Sequence, residues 1–231
     1  DGCPDVPARC GPAAGAGALV PRYCLKLEYD GTPFAGWQRQ ADALSVQQVV
    51  EEAIEKMSGE TVAVQAAGRT DSGVHASGQL VHFDSDAARS LRAWTLGVNS
   101  NLPADVSVQW VRPVPAHFHA RYSAFSRTYR YLIRNRASRD ALARGRAALV
   151  HAPLDLAAMR AAAAQLVGEH DFSAFRAAGC QSRSPVRRLE QLEVEEATAA
   201  VPDSAAGDGS GRWLVVTATA NAFLHHMVRN L

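Results

Sequence analysis

Cysteine is scarce in this sequence, lysine is almost missing and a long apolar run is absent. The 231 residues hold four cysteines, Cys3, Cys10, Cys24 and Cys180. None belongs to a CxxC pair or has a histidine at zinc-finger spacing. That argues against a disulfide scaffold or a zinc module and for free thiols in a reducing, cytoplasmic setting; a Cys3–Cys10 bridge is the alternative. No window approaches the roughly 18 consecutive apolar residues of a membrane helix. The stretch 13–20 is short, is broken by Gly15 and Gly17, and follows no basic segment. Neither a secretory signal nor a membrane partner is expected.

Only two of the 24 basic residues are lysine, Lys26 and Lys56, so arginine carries the positive charge. A coding bias accounts for the ratio as readily as function does, but less readily for the clustering. Between Arg112 and Arg146 stand nine arginines and one acid, Asp140, in a chain of net charge +1. One basic stretch in a nearly neutral chain points to a local anionic partner, and guanidinium forks suit phosphate. Apolar residues at 47% against 20% charged exclude a disordered chain, a collagen and a coiled coil.

Residues 1–21 are rich in Gly, Pro and Ala and read as a flexible extension. From there the pattern divides into two halves, 22–115 and 116–231. YCLKLEY alternates, with Tyr23, Leu25, Leu27 and Tyr29 on one face, as a half-buried strand does. LSVQQVVEEAIEKMSG puts Val46, Val49, Val50, Ala53, Ile54 and Met57 on one helical stripe, with Ser45 as N-cap and Gly59 as stop. TVAVQAA (61–67), GQLVHFD (78–84) and 105–111 read as strands, and RSLRAWTLGVN as a helix. In the second half RTYRYLIRN (127–135), LEQLEVEEA and RWLVVTATA read as strands, the last two joined by the loop 198–211. Asp155 caps a helix with Met159, Ala163, Leu166 and Val167 inward and Gly168 as stop. FAGWQ (34–38) and FSAFR (172–176) echo one another faintly. The expected class is α+β: two similar halves with mixed, mainly antiparallel sheets flanked by helices. NAFLHHMVRNL opens a helix whose apolar face is expected to continue past Leu231, so the sequence reads as a C-terminally truncated piece.

The sharpest chemical feature is AAGRTDSGVHASGQLVHFD (66–84). Gly68 and Gly73 permit a tight loop, with Asp71 near its tip and Arg69 two residues earlier. A carboxylate beside an arginine stays ionised, which suits a covalent nucleophile or a stabiliser of a cationic sugar and does not suit a general acid. The plain alternative is an Asx-turn. His117 and His119, or His225 and His226, could ligate zinc, but no cysteine or carboxylate stands at matching spacing, so no metal is expected. For His75 a structural hydrogen bond is expected.

EYDGTPFAGWQRQ (28–40), AAGRTDSGVHASGQLVHF (66–83), NSNLPADVSV (99–108), FHARYSAFSRTYRY (118–131), GEHDFSAFRAAGCQSRSPVR (168–187) and NAFLHHMVRN (221–230) together resemble the TruA-type tRNA pseudouridine synthases, in that family's order and at similar spacing. The resemblance implies the pseudouridine synthase fold and an isomerase that converts uridine to pseudouridine at positions 38, 39 and 40 of the tRNA anticodon stem-loop. It implies no metal, nucleotide or redox cofactor, a homodimer, and further segments after HHMVRN. It makes Asp71 the catalytic aspartate, Arg69 the arginine of its motif, Tyr129 the contact to the target base and Arg229 the partner of the catalytic carboxylate.

Residue chemistry agrees with that implication. Tyr129 offers a face to an extruded base, although a strand tyrosine also packs in cores. Arg112, Arg121, Arg127, Arg130, Arg134, Arg136 and Arg139 would track phosphates, several of them being expected simply to face solvent. Arg39 and Arg183 are expected nearer the site. Two other classes fit parts of the pattern. A non-catalytic tRNA-binding module would use the arginines but has no need of the GRTDSG loop. A glycosidic hydrolase would need a second carboxylate, for which Asp30 or Asp42 could serve.

Overall fold

The computed structural model describes residues 20–197 and 211–231. The expectations for 1–19, and for the loop from 198 to 210, lie outside the described residues. The first half builds β1 (Arg22–Tyr29), α1 (Val46–Ser58), β2 (Gln65–Ala66), β3 (Ala76–Asp84), α2 (Leu91–Asn99) and β4 (Val106–Val114). The second builds β5 (Arg127–Asn135), β6 (Ala148–Val150), α3 (Leu156–Leu166), β7 (Gly168–Asp171), β8 (Val186–Glu196), β9 (Arg212–Ala220) and the single turn α4 (Met227–Asn230). The first sheet is antiparallel in the order β2-β3-β1-β4; the second runs β6-β5-β9-β8-β7, with β5 and β6 its one parallel pair. The α+β class with mixed, mainly antiparallel sheets is what the periodicities call for.

Local chemistry explains the elements that matched. Ser45 accepts the Gln48 N–H at 3.3 Å at the start of α1, and Gly59 ends it with φ 81° and an N–H to Glu55 O. The apolar stripe of α1 seals against β1 and β3. Val50, Ile54, Leu25, Leu27 and Val81 are wholly buried, as is Trp94 of α2 against Phe83 at 5.2 Å between centroids. Each such burial contributes about 1.5–3 kcal/mol. The second core is smaller, built on Phe172, Leu189, Leu192, Leu224 and Met227.

Four local readings are corrected. The stretch 61–67 is not a full strand; only Gln65 and Ala66 pair with β3. Val64 instead donates its N–H to Glu51 Oε1 at 3.1 Å, and its carbonyl accepts from the Gln47 side-chain amide. Side chains of α1 thus replace the missing ladder. Gly168 does not stop α3 but opens β7 at φ 119°. Val167 is extended and exposed rather than inward. The strand read at 105–111 continues to Val114, paired with β1.

The segment between the halves is pinned to the first sheet. Arg22 donates to the carbonyls of Ala116 and Phe118, and the Ala120 N–H donates to His82 Nδ1 at 3.2 Å. Burial, then the charge of Arg22, holds His82 below the ordinary imidazole value of 6.5. A proton on Nδ1 would break the bond to Ala120. The unfolded chain takes that proton more readily, so this contribution is complete above 6.5 and is lost as pH falls through the lower folded value. Between about pH 7.5 and about pH 5.5 the urea midpoint of the wild type should drop more than that of His82→Gln, which has no proton to gain. Equal slopes would remove His82 from the acid response.

Candidate active site

The loop 68–74 joins β2 to β3 and is braced by the segment 30–37 from β1. Trp37 N–H donates to Thr70 O at 2.9 Å, and Gly73 N–H and Ser72 Oγ both reach Phe34 O at 3.3 Å. Tyr29 Oη and Thr70 Oγ1 share a 2.8 Å hydrogen bond, while Gln79 holds Gly68 O at 2.6 Å. Phe34 and Trp37 are buried beneath, so the FAGWQ aromatics form the floor on which the loop rests. Burial pushes the Tyr29 phenol up to about 12, keeping it neutral.

Asp71 emerges from this bracing with its carboxylate 47% exposed. Its oxygens make no hydrogen bond to the loop among the described residues, so the Asx-turn alternative is not adopted. They face the second half: His225 Nε2 lies 3.7 Å from Oδ1 and His226 Nε2 4.0 Å from Oδ2. Among the described residues neither Arg69 nor Arg229 comes within 4.0 Å ion-pairing distance of it. The expected arginine partner is here replaced by two imidazoles.

Between the two sheets opens a cleft of about 2350 Å³, whose wall includes Thr70 and Ser72 on either side of Asp71. Tyr129, Arg130, Tyr131 and Arg229 face it from the second half, Tyr29 and His75 from the first. Tyr129 is partly buried, edge-on to Phe223 at 5.0 Å. Burial, then the negative charge of Asp71, raises its phenol above the ordinary value, with Arg127 opposing. The Asp71 charge is thus felt at Tyr129. His75 bridges the halves as a structural hydrogen-bonder, accepting Gly31 N–H at 3.2 Å and facing Gly145 O at 2.8 Å. Asp30 is held below the ordinary carboxylate value, first by hydrogen bonds from Thr32 and then by His75 and Arg146. That is the wrong direction for the acid of a glycosidic hydrolase.

The arginines separate into classes that sequence could not distinguish. Arg130 lines the cleft; Arg121 is exposed, its guanidinium 5.6 Å from the Tyr122 ring centre. Arg69 and Arg183 are exposed. Arg39 turns to α1, 3.1 Å from Glu51 and 3.9 Å from Glu52, and does not line the cleft. Arg134 is buried at 2.8 Å from Asp140 and 5.0 Å from the Trp213 ring centre, and Arg136 also reaches Asp140. The lone acid of the basic stretch thus engages two of the residues expected to follow phosphates.

Arg127 lines the cleft but commits much of its guanidinium to the protein itself. Its guanidinium donates to four main-chain carbonyls: Ala67 beside the Asp71 loop, Arg121 and Ala124 in the inter-half segment, and Asn221 after β9. Four of five N–H groups are thereby engaged, leaving little for a phosphate. It ties together segments of both halves. Arg127→Ala should cost about 2–4 kcal/mol of stability, since four acceptors lose a charged donor. Urea unfolding checks this, and a loss under about 0.5 kcal/mol would refute it.

Sequence reasoning missed His225 and His226 as neighbours of Asp71. It sought a carboxylate at close spacing, whereas the fold supplies one from more than 150 positions away. It also missed Phe223, although the aromatic lies in the same NAFLHHMVRN segment.

Comparison with known proteins gives the family. A family model described as tRNA pseudouridine synthase matches residues 27–123 and 162–231. The tRNA pseudouridine synthase A of Alcanivorax borkumensis is 50% identical over 211 residues, covering 91% of this chain and 74% of its own length. That of Idiomarina loihiensis is 50% identical over 210 residues, covering 91% and 76%. That of Pseudomonas aeruginosa is 48% identical over 227 residues, covering 98% and 74%. On this match, which takes in the braced aspartate loop and the segment carrying His225, His226 and Arg229, the chain belongs to the tRNA pseudouridine synthase family.

Proposed function

We propose that this protein isomerises uridine to pseudouridine in tRNA, at positions 38, 39 and 40 of the anticodon stem-loop, with Asp71 as the covalent nucleophile. The observation that carries the reading is the Asp71 carboxylate, presented by a braced loop whose Thr70 and Ser72 line a wide cleft, with its charge reaching Tyr129 of the second sheet. The target base must leave its stack to reach such a carboxylate. Asp71 attacks ribose C1′ or uracil C6, the N-glycosidic bond breaks, the uracil turns, and C5 bonds to C1′. The proton leaves C5 while N1 gains one, so no co-reactant is consumed. Tyr129 supplies the face for the extruded base. Arg229 lines the cleft and Arg69 is exposed on the same loop as Asp71, so both are cationic candidates for the nucleotide rather than ion-pair partners of the carboxylate. Arg121, Arg130 and Arg183 are the exposed candidates for phosphate, whereas Arg39, paired with Glu51 and Glu52, would reach substrate only by leaving them.

The reading includes a homodimer and residence in the cytoplasm, which fits the free thiols of Cys24 and Cys180. No helix among the described residues is long and apolar enough to cross a membrane. The direct test is tRNA tritiated at uracil C5. Tritium should be released, and pseudouridine should map to 38–40. Tight tRNA binding without tritium release would replace the isomerase with a non-catalytic tRNA-binding module.

A further inference from the structure

The two imidazoles at Asp71 have no role in the chemistry above. One ligand atom from each of Asp71, His225 and His226 lies within 4.8 Å of the others. The rings sit 4.0 Å apart, tilted by 36°. Neither ring is engaged by a hydrogen bond among the described residues, so their nitrogens are available as donors to an ion. The backbone holds them in place. His225 N–H points to Cys180 Sγ at 3.5 Å, and its carbonyl accepts Ala177 N–H at 3.1 Å. His226 stands at φ 60°, the only positive value outside glycine among the described residues. Each of the three side chains is between 39% and 47% exposed, so a hydrated ion can enter.

We propose that Asp71, His225 and His226 form a binding site for a transition-metal dication of the zinc type, and that its occupancy inhibits the enzyme. Two imidazoles and one carboxylate are a three-ligand set for zinc, with the fourth position left open. Tetrahedral ligands at about 2.0–2.1 Å from zinc stand about 3.4 Å from one another. The 3.7 and 4.0 Å distances run to the two different carboxylate oxygens, and one ligand atom from each residue lies within 4.8 Å of the others, so the set closes by up to about 1.4 Å, which partly exposed side chains reach by χ rotation. Nitrogen ligands favour Zn²⁺, Co²⁺, Ni²⁺ and Cu²⁺ over Mg²⁺ and Ca²⁺, so the magnesium that accompanies tRNA does not compete. The ion is no cofactor: a carboxylate engaged by a metal cannot attack a nucleoside. Binding stands on the geometry alone, whereas inhibition rests on the assignment of Asp71 as nucleophile.

Metal-free protein without RNA is titrated with Co²⁺, followed by its visible absorption, and with Zn²⁺ by calorimetry. One ion per chain is expected, with a dissociation constant on the order of micromolar. His225→Ala, His226→Asn and Asp71→Asn should each weaken it at least about tenfold; asparagine is chosen because it tolerates the left-handed backbone at 226. Thermal melts confirm that each variant is folded. Zn²⁺ should then suppress tritium release over the same concentrations, with recovery on chelation. Absence of binding, or binding equal in all variants, overturns the site. Site-specific binding with unimpaired tritium release overturns the inhibition. An Asp71→Asn variant that loses the metal yet isomerises normally would sink the nucleophile assignment instead, and leave the site standing.

Discussion

Replacing Asp71 with asparagine is expected to lower single-turnover tritium release by about a thousandfold or more, with tRNA affinity held within a few-fold. Asparagine keeps the shape of the side chain but not its nucleophilic oxygen. Little else depends on that carboxylate. Its side chain is 47% exposed and, among the described residues, hydrogen-bonds to no part of its own loop and has only the two imidazoles within 4.0 Å as ion-pair partners, at 3.7 and 4.0 Å. Exposed pairs of this kind contribute at most about 1 kcal/mol, so melting temperature should scarcely change. The discriminating result is the split between binding and turnover. A tenfold loss shared equally by both would point to electrostatics or folding rather than covalent chemistry.

The second large effect is expected at Gly36. Its φ is 96°, and a Cβ placed there would lie 2.8 Å from Thr70 O and 3.1 Å from the carbonyl carbon of Asp71. The neighbours are backbone and cannot swing aside, so the catalytic loop itself must move. A displacement near 1 Å at the reacting group costs about a hundredfold in rate. Gly36→Ala should therefore lower kcat by about that factor, in addition to the 1–2 kcal/mol or so of left-handed strain. Gly59→Ala is the control. It has a similar φ of 81° at the end of α1, but nothing lies within 4 Å of its added Cβ. That variant should lose stability and keep its turnover. If both glycines behave alike, the contact with the loop is not what matters.

The contrast between these glycines shows how far the sequence could be read. Gly59 was legible because helix ends are local events: a serine cap, a stripe of valine and isoleucine, and a glycine stop. Gly36 carries no such signature; its need arises from residues 70 and 71, brought close by tertiary structure. The strand read at 61–67 fell short for a related reason, because Glu51 and Gln47 satisfy the backbone of Val64 from the side. The GRTDSG loop stood out as a motif, and Tyr129 as a strand residue. The imidazole neighbours of Asp71 did not, since nothing in local spacing links residue 71 to residue 225. Among the arginines, charge alone could not separate Arg130 in the cleft from Arg134 in the core. The one readable hint was Asp140, a solitary acid among nine arginines.

Arg127 has a consequence for how this protein can drift. All four of its acceptors are main-chain carbonyls, and every residue type supplies one. Positions 67, 121 and 124 are accordingly free to change side chain without disturbing the junction, while the guanidinium that gathers them has no equivalent. Saturation mutagenesis should find a narrow tolerance at 127 surrounded by permissive neighbours: one irreplaceable side chain holding together a set of interchangeable ones.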